Sequence, residues 1–202
     1  LESTKRAPAL TDTHRALGEI YWQRLDDVDA AERHFRRVRL SESRNRTVLR
    51  FYAEFHRRRG EWEKSLGSLQ SLRAVSRGAE SLQVVSEMAE IAARDMGDVE
   101  RAIELWTGAR AEFPTEAKPA RALRALLRQG EKWNRLVELL KGDLASLPAD
   151  ATGERVSTLL ELAALYRDRF NLPVLVVNTY QAVLAVDPHN VEACDALLER
   201  YE

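Results

Sequence analysis

One short pattern returns three times along the chain, and it constrains the fold more than any other feature. Leu17-Gly18-Glu19-Ile20-Tyr21 is followed by Ala31 and Phe35. Met88-Ala89-Glu90-Ile91-Ala92 is followed by Ala102 and Trp106, and Leu162-Ala163-Ala164-Leu165-Tyr166 by Val176 and Tyr180. In each copy a small or branched apolar residue stands 14 positions after the first residue, and a large ring 4 positions later. The copies are 71 and 74 residues apart. Self-similarity on this scale predicts stacked helical hairpins rather than one globular core.

Apolar residues recur at helical spacing almost throughout, and no stretch alternates as a strand does. The spacing predicts helices over 10–24, 28–41, 45–59, 61–76, 79–95, 98–112, 116–129, 131–147, 151–170, 172–186 and 190–202, with 1–9 a frayed entry or the end of a preceding helix. The breaks have physical causes. Gly60, Gly97 and Gly130 suit the left-handed conformation that ends a helix. Asp98 and Asn171 suit N-caps, and the cluster Asp26, Asp27 and Asp29 reads as capping because it lacks the glycine and distal Glu of a calcium loop. Pro114, Pro148 and Pro188 each follow a helix and stop it, whereas Pro119 and Pro173 lie early in helices, where a missing N–H is harmless.

Short breaks between amphipathic helices force antiparallel pairs: 10–41, 45–76, 79–112, 116–147 and 151–186, with 190–202 unpaired. No pair can bury its apolar face alone, so each needs its neighbour as a lid. Gly18, Ala53, Ala89 and Ala163 would let the two helices of a pair approach closely. The rings of Phe35, Trp106 and Tyr180 would fill the space between pairs.

The bulk properties narrow the function classes. No apolar run approaches the roughly 18 residues that suggest a membrane span. The single cysteine, Cys194, rules out an internal disulfide and a cysteine metal cluster. This fits a reducing, cytoplasmic compartment, and a disulfide-free periplasmic protein would look the same. The chain starts at Leu1 and stops at Glu202 inside a helical pattern, which reads as a piece of a longer protein. Charge is graded: residues 1–60 carry 14 Lys/Arg against 9 Asp/Glu, 61–141 balance at 13 and 13, and 142–202 carry 4 against 10. Two readings stay open: scatter of solvated charge, or electrostatic orientation of a partner or of neighbouring copies.

No motif for chemistry is present. There is no phosphate loop, nucleophile elbow or metal-binding helix. His14, His34, His56 and His189 are scattered; His34 reads as a surface residue and His189 as part of a turn. Cys194 reads as core filler on the last helix. The sequence therefore predicts no catalytic, cofactor or metal site.

The repeated positions resemble the tetratricopeptide repeat (TPR) family. Leu17, Gly18, Tyr21, Ala31, Phe35 and Val38 match its pattern in the first pair. Met88, Ala89, Ala102, Trp106, Ala109 and Pro114 match in the third, and Leu162, Ala163, Tyr166, Tyr180, Val183 and Pro188 in the fifth. Cys194, Leu197, Leu198 and Tyr201 stand at the helix A positions of the last, unpaired helix. Pairs one, three and five carry one extra residue between helices, a spacing that resembles half-a-TPR (HAT) repeats. Pairs two and four are degenerate, with Ser65 or Arg135 in place of the usual alanine. The alternation is similar in style to large multi-repeat TPR proteins of myxobacteria-like bacteria.

The resemblance implies an all-α, right-handed superhelical solenoid of five antiparallel pairs plus one terminal helix. It also implies a concave face lined by the first helix of each pair. Carried over residue by residue, that face holds Arg15, Glu19 and Trp22; Arg50, Phe51, Glu54 and Arg57; Glu87, Glu90 and Arg94; Arg121, Arg124 and Arg128; and Glu161, Ala164 and Arg167. Arg121, Arg124 and Arg128 share one helical side, and Arg50 can meet Glu54 one turn on. Either this is a solvated face with local ion pairs, or a groove that takes an acidic or carboxylate-bearing segment through forked contacts. Chaperone-type members grip a C-terminal carboxylate with Lys and Asn; Glu19, Glu54 and Glu90 at an expected Asn position argue against that clamp. The resemblance implies a non-catalytic scaffold that binds another protein. Its rivals are an RNA-binding helical repeat, disfavoured by the acidic C-terminal part, and a spacer or self-association arm of a larger signalling protein or enzyme.

Overall fold

The structure, a computed structural model, describes residues 2–199, with side chains from residue 9 onward. All regular structure among the described residues is helical. The helices are α1 (Glu2–Gln23), α2 (Val28–Ser41), α3 (Arg46–Arg58), α4 (Trp62–Val75), α5 (Gly78–Glu90), α6 (Val99–Glu112), α7 (Ala117–Gln129), α8 (Trp133–Ser146), α9 (Thr152–Asp168), α10 (Pro173–Val186) and α11 (Val191–Leu198). Most predicted boundaries hold within two residues. The predicted entry over 1–9 is instead continuous helix from Glu2 onward, within α1. The end of the predicted last helix, with Tyr201, lies outside the described residues.

Two compact units are present, residues 1–120 and 121–202. In the first, α1 packs on α2, α3 on α4 and α5 on α6, and α4 lies against α5. In the second, α9 packs on α10, α8 lies against α9 and α10 against α11. There α7 meets α8 through Arg124 and Asp143.

The extra residue of pairs one, three and five has a definite backbone form. Each first helix ends in a widened turn. Leu25, Met96 and Phe170 donate N–H to the carbonyls of Ile20, Ile91 and Leu165, five residues back. Asp27, Asp98 and Leu172 then donate to Tyr21, Ala92 and Tyr166, six residues back. In pair three the widening is long enough to make a π-helical turn, Ile91–Asp95, where the spacing predicts plain α-helix. Pairs two and four close one residue sooner, with Glu61 donating to His56 and Lys132 to Leu127. That is the six-to-one bond of a Schellman ending.

The left-handed residue that reverses the chain is Asp26, Gly60, Gly97, Glu131 and Asn171 in successive pairs. Two expectations are corrected here. Gly130 does not take the positive φ; Glu131 does, at 52°. Asn171 is not an N-cap; its φ is 50°, and Leu172 starts α10 with no side-chain cap. Asp98 caps as predicted, accepting from the Arg101 N–H at 3.0 Å, and Asp27 accepts from Ala30 N–H at 2.9 Å.

Small residues sit where pairs approach. Gly18 faces the ring of Phe35 so closely that a Cβ there would lie 2.9 Å from Cε1 and Cζ. Phe35, Trp106 and Tyr180 are all buried. In pair two the unusual Ser65 is fully buried, and its hydroxyl donates to the Ala53 carbonyl at 2.8 Å. The polar atom is therefore satisfied and the close approach kept. In pair four the alanine position is filled by buried Leu136, not by Arg135, which is exposed. The N-cap register, Asp27 to Ala31 and Lys132 to Leu136, shows the one-residue slip in the sequence reading.

Candidate functional site

The first helix of each pair carries charged side chains on the turns that pair packing leaves free. Between α3, α4 and α5 they surround a cleft of ≈ 600 Å³. Ala53, Leu69, Ile91, Ser65 and the partly buried ring of Trp62 line it with little polarity. Arg50, Glu54, Arg57 and Arg58 border it on α3, and Glu87 and Asp95 on the α5 side. The π-helical turn supplies both Ile91 and Asp95, so the widened helix end shapes this cleft directly.

Most of the rim charge is already partnered. Arg50 pairs with Glu87, which also accepts from Gln83 Nε2 at 3.2 Å. This differs from the expected one-turn contact between Arg50 and Glu54. Glu54 instead pairs with Arg58 and accepts from the Trp22 indole N–H at 3.0 Å. Arg58 also reaches Asp26 at 2.7 Å, and these carboxylates raise its pKa above the usual guanidinium value. Arg57 is exposed, lines the cleft and has no ion pair or side-chain hydrogen bond among the described residues.

The predicted concave residues separate into groups. Phe51 is 0% exposed and is a core ring, packed tilted against Phe35 and Phe55 and edge-on against Tyr52. It cannot be a partner contact, because the alternating apolar positions of α3 turn it inward. Trp22 packs edge-on against Phe35 and Phe51, with only part of its ring open. Arg15 pairs with Asp12 and, at 3.4 Å, with Glu42. Glu90 and Arg94 form a loose pair at 3.7 Å. Glu19 stands half-buried on α1. Trp62, Asp95 and Ile91 line the cleft but escaped the sequence reading. The π turn places Asp95 and Ile91 off the plain helical register, and Trp62 stands on the second helix of its pair rather than on the first.

In the second unit the expected arginine side is largely occupied by the molecule's own carboxylates. Arg124 pairs with Asp143 at 2.6 Å and with Glu161 at 3.7 Å, and Arg128 also pairs with Glu161. Arg124 is not a groove residue: it is turned into its own hairpin, and its Nε is buried without an acceptor. Arg121 alone of the three is exposed and has no pair among the described residues. Arg167 chelates Asp168 at 2.7 and 3.2 Å and donates to the Tyr180 hydroxyl at 3.1 Å. That fork holds the Asp168 carboxyl below its usual range.

His34 also departs from expectation. It is half-buried rather than a plain surface residue, with its Nδ1 2.9 Å from that of His14 and its ring stacked on Tyr21. Burial first, then the His14 and arginine neighbours, lowers its pKa. Cys194 is half-buried. Among the described residues no group of three or more His, Cys, Asp or Glu could hold a metal ion. Among them, too, no helix is long and apolar enough to cross a membrane.

The solved structures that the chain resembles include TPR proteins. It is similar to the PilF protein of Pseudomonas aeruginosa at 17% identity, over 94% of this chain and 82% of that one, with a TM-score of 0.48. It is similar to YrrB, described as a TPR protein with an unusual peptide-binding site, at 6% identity, over 91% and 89%, with a TM-score of 0.48. It is similar to the TPR2AB domain of yeast Sti1, solved as a complex with pHSP90, at 16% identity, over 92% and 81%, with a TM-score of 0.45. No protein-family model and no curated protein matches the chain.

Proposed function

We propose that the chain is a non-catalytic scaffold of TPR-like helix pairs. In this reading it binds an extended segment of another protein in the cleft between α3, α4 and α5. One observation carries the reading: the cleft joins an apolar floor, Ala53, Leu69 and Ile91, to a rim whose Arg57 is exposed and unpaired. An apolar side chain of the segment would cover the floor, where each buried CH₂ contributes about 0.8 kcal/mol. A carboxylate next to it would meet the Arg57 guanidinium in a forked contact. Arg50, Glu54, Arg58 and Glu87 are neutralised within the protein, which leaves Arg57 and the exposed Asp95 as the open rim charges and disfavours highly charged ligands of either sign. This narrows the expected acidic partner to a segment with one acidic residue beside a large apolar one. The second-unit arginines are not the main contact in this reading, because Asp143 and Glu161 already hold two of them.

The test is comparative capture. Immobilised wild-type chain and the variants Arg57→Glu and Arg94→Glu are exposed to the same lysate, and bound proteins are identified by mass spectrometry. Arg57→Glu is expected to lose proteins that wild type and Arg94→Glu retain. An identical set on all three removes the cleft from the proposal.

A further inference from the structure

The outer side of α2 differs in chemistry from that of every other second helix of a pair. The five helices align on the buried residue of their first turns, Ala31, Ser65, Ala102, Leu136 and Val176. In that register the position of Leu40 is Ala74, Ala111, Ala145 and Ala185 in the other pairs. The position of Arg37 is Ser71, Gly108, Gly142 and Ala182, and that of Arg33 is Gly67, Glu104, Glu138 and Asn178. Only α2 places large basic and apolar groups there. The openness of this side does not depend on where the chain begins. Gly67, Ser71 and Ala74 are exposed on α4, which has one pair before it and another after it.

Arg33, Arg37 and Leu40 lie opposite the buried Ala31, Phe35 and Val38 and so form one stripe. Leu40 is 87% exposed, and Arg44 is exposed in the turn just beyond the helix. The charge is not cancelled locally. Arg33 and Arg44 have no ion pair or side-chain hydrogen bond among the described residues, and Arg37 reaches His14 Nε2 at 3.4 Å. The neighbouring carboxylates are engaged elsewhere: Glu32 by Arg36, Asp29 by Arg59 and Glu42 by Arg15.

We propose that this side of α2 docks on an anionic lipid bilayer, with its guanidiniums on headgroup phosphates and the Leu40 side chain in the acyl boundary. Phosphate charge lying directly over an apolar layer is what unpaired arginines around a protruding leucine fit. Nucleic acid fits less well. Leu40 gains no apolar cover among backbone phosphates. The nearby rings of Tyr52 and Phe55 are buried beneath Arg39 and Arg59, at 4.5 and 4.2 Å, so neither is open to stack a base. With a single apolar anchor the docking is reversible and depends on salt. This surface is separate from the α3–α5 cleft, and either reading can fail without the other.

The experiment is co-sedimentation of the full chain with vesicles of phosphatidylcholine alone or of equal parts phosphatidylcholine and phosphatidylserine. Wild type is expected to pellet with the anionic vesicles only and to be released as salt is raised. Arg33→Glu/Arg37→Glu should lower the partition coefficient by about tenfold or more. Leu40→Ala, which installs the residue of the other four pairs, should lower it by about threefold. Arg94→Glu should bind as wild type does, and circular dichroism should be unchanged in all. Wild type that ignores anionic vesicles, that binds phosphatidylcholine equally, or that binds no better than Leu40→Ala would overturn the proposal. Release by inorganic phosphate beyond that by chloride at matched ionic strength would place a free-anion site there instead. Tighter binding to duplex RNA than to vesicles, lost in Arg33→Glu/Arg37→Glu and kept in Leu40→Ala, would replace the bilayer with nucleic acid.

Discussion

Arg124 and Asp143 face each other 2.6 Å apart at two register positions that are apolar in every other hairpin. The corresponding pairs are Gly18 with Val38, Ala53 with Leu72, Ala89 with Ala109 and Ala163 with Val183. Pair four has exchanged a close apolar approach for an ion pair, and Asp143 is only 9% exposed there. Asp143→Val leaves Arg124 only its looser contact with Glu161, at 3.7 Å, and Arg124→Ala takes a charge-assisted bond from the buried Asp143. Arg124→Ala and Asp143→Val should therefore each destabilise the second unit by about 2–3 kcal/mol. The double variant Arg124→Ala/Asp143→Val restores the pattern of the other hairpins and should recover most of that loss. Urea unfolding of the four proteins measures the coupling. Arg121→Glu, on an exposed and unpaired residue, should stay within about 0.5 kcal/mol of wild type.

Gly18→Ala sets two effects against each other. Helix propensity alone favours Ala by about 1 kcal/mol. The new methyl, however, would enter the ring of Phe35, which is fixed between Trp22 and Phe51. Overpacking of this kind costs about 1–3 kcal/mol, so net destabilisation is expected. Phe35→Leu should lessen the penalty of Gly18→Ala in a double-mutant cycle. A Gly18→Ala protein that melts higher than wild type would mean that the ring moves freely.

The His14–His34 contact gives a pH dependence with a definite sign. The two Nδ1 atoms lie 2.9 Å apart, and half-buried His34 favours its neutral form. Its folded pKa is depressed, so below the unfolded value of about 6.5 the unfolded chain takes up the proton first. The contribution of His34 is present above that pH and is lost as pH falls through it toward the lower folded value. Arg33 and Arg37 beside it strengthen the effect. Melting temperature should fall between about pH 7 and pH 5, and His34→Gln should flatten that slope.

Much of the fold is legible in the sequence because it depends on side-chain periodicity. The apolar stripes give the helices, and Gly18, Ala89 and Ala163 give the close approaches. What the pattern hides depends on backbone counting. The extra residue in pairs one, three and five is visible as a spacing, but its absorption as a widened turn is not, since either an α- or a π-type ending preserves the stripe up to Ile91. The same uncertainty displaced the alanine position from Leu136 to Arg135. The candidate site is less legible. Arg124 and Arg128 carry the composition of a binding surface, and only the tertiary partners Asp143 and Glu161 show that they are engaged. Phe51 was misplaced because an apolar residue between two arginines has the same local pattern whether it faces a groove or the core.

The left-handed residues at the hairpin ends offer a comparison within one chain. Gly60 closes pair two with a φ of 69°, and a glycine there meets no steric penalty. Glu131 closes pair four in the same role with a φ of 52°, where a Cβ crowds the carbonyl oxygen at a cost of roughly 1–2 kcal/mol. Asn171, at 50° in pair five, carries a short polar side chain that tolerates this region better than Glu does. Glu131→Gly should therefore stabilise the second unit by about 1 kcal/mol, reduced from the full steric cost by the greater freedom glycine gives the unfolded chain. Asn171→Gly should gain less. Denaturant midpoints of the two variants test the order directly. Equal gains, or a loss at Glu131→Gly, would show that the Glu131 turn is held by something other than the Schellman bond from Lys132 to Leu127.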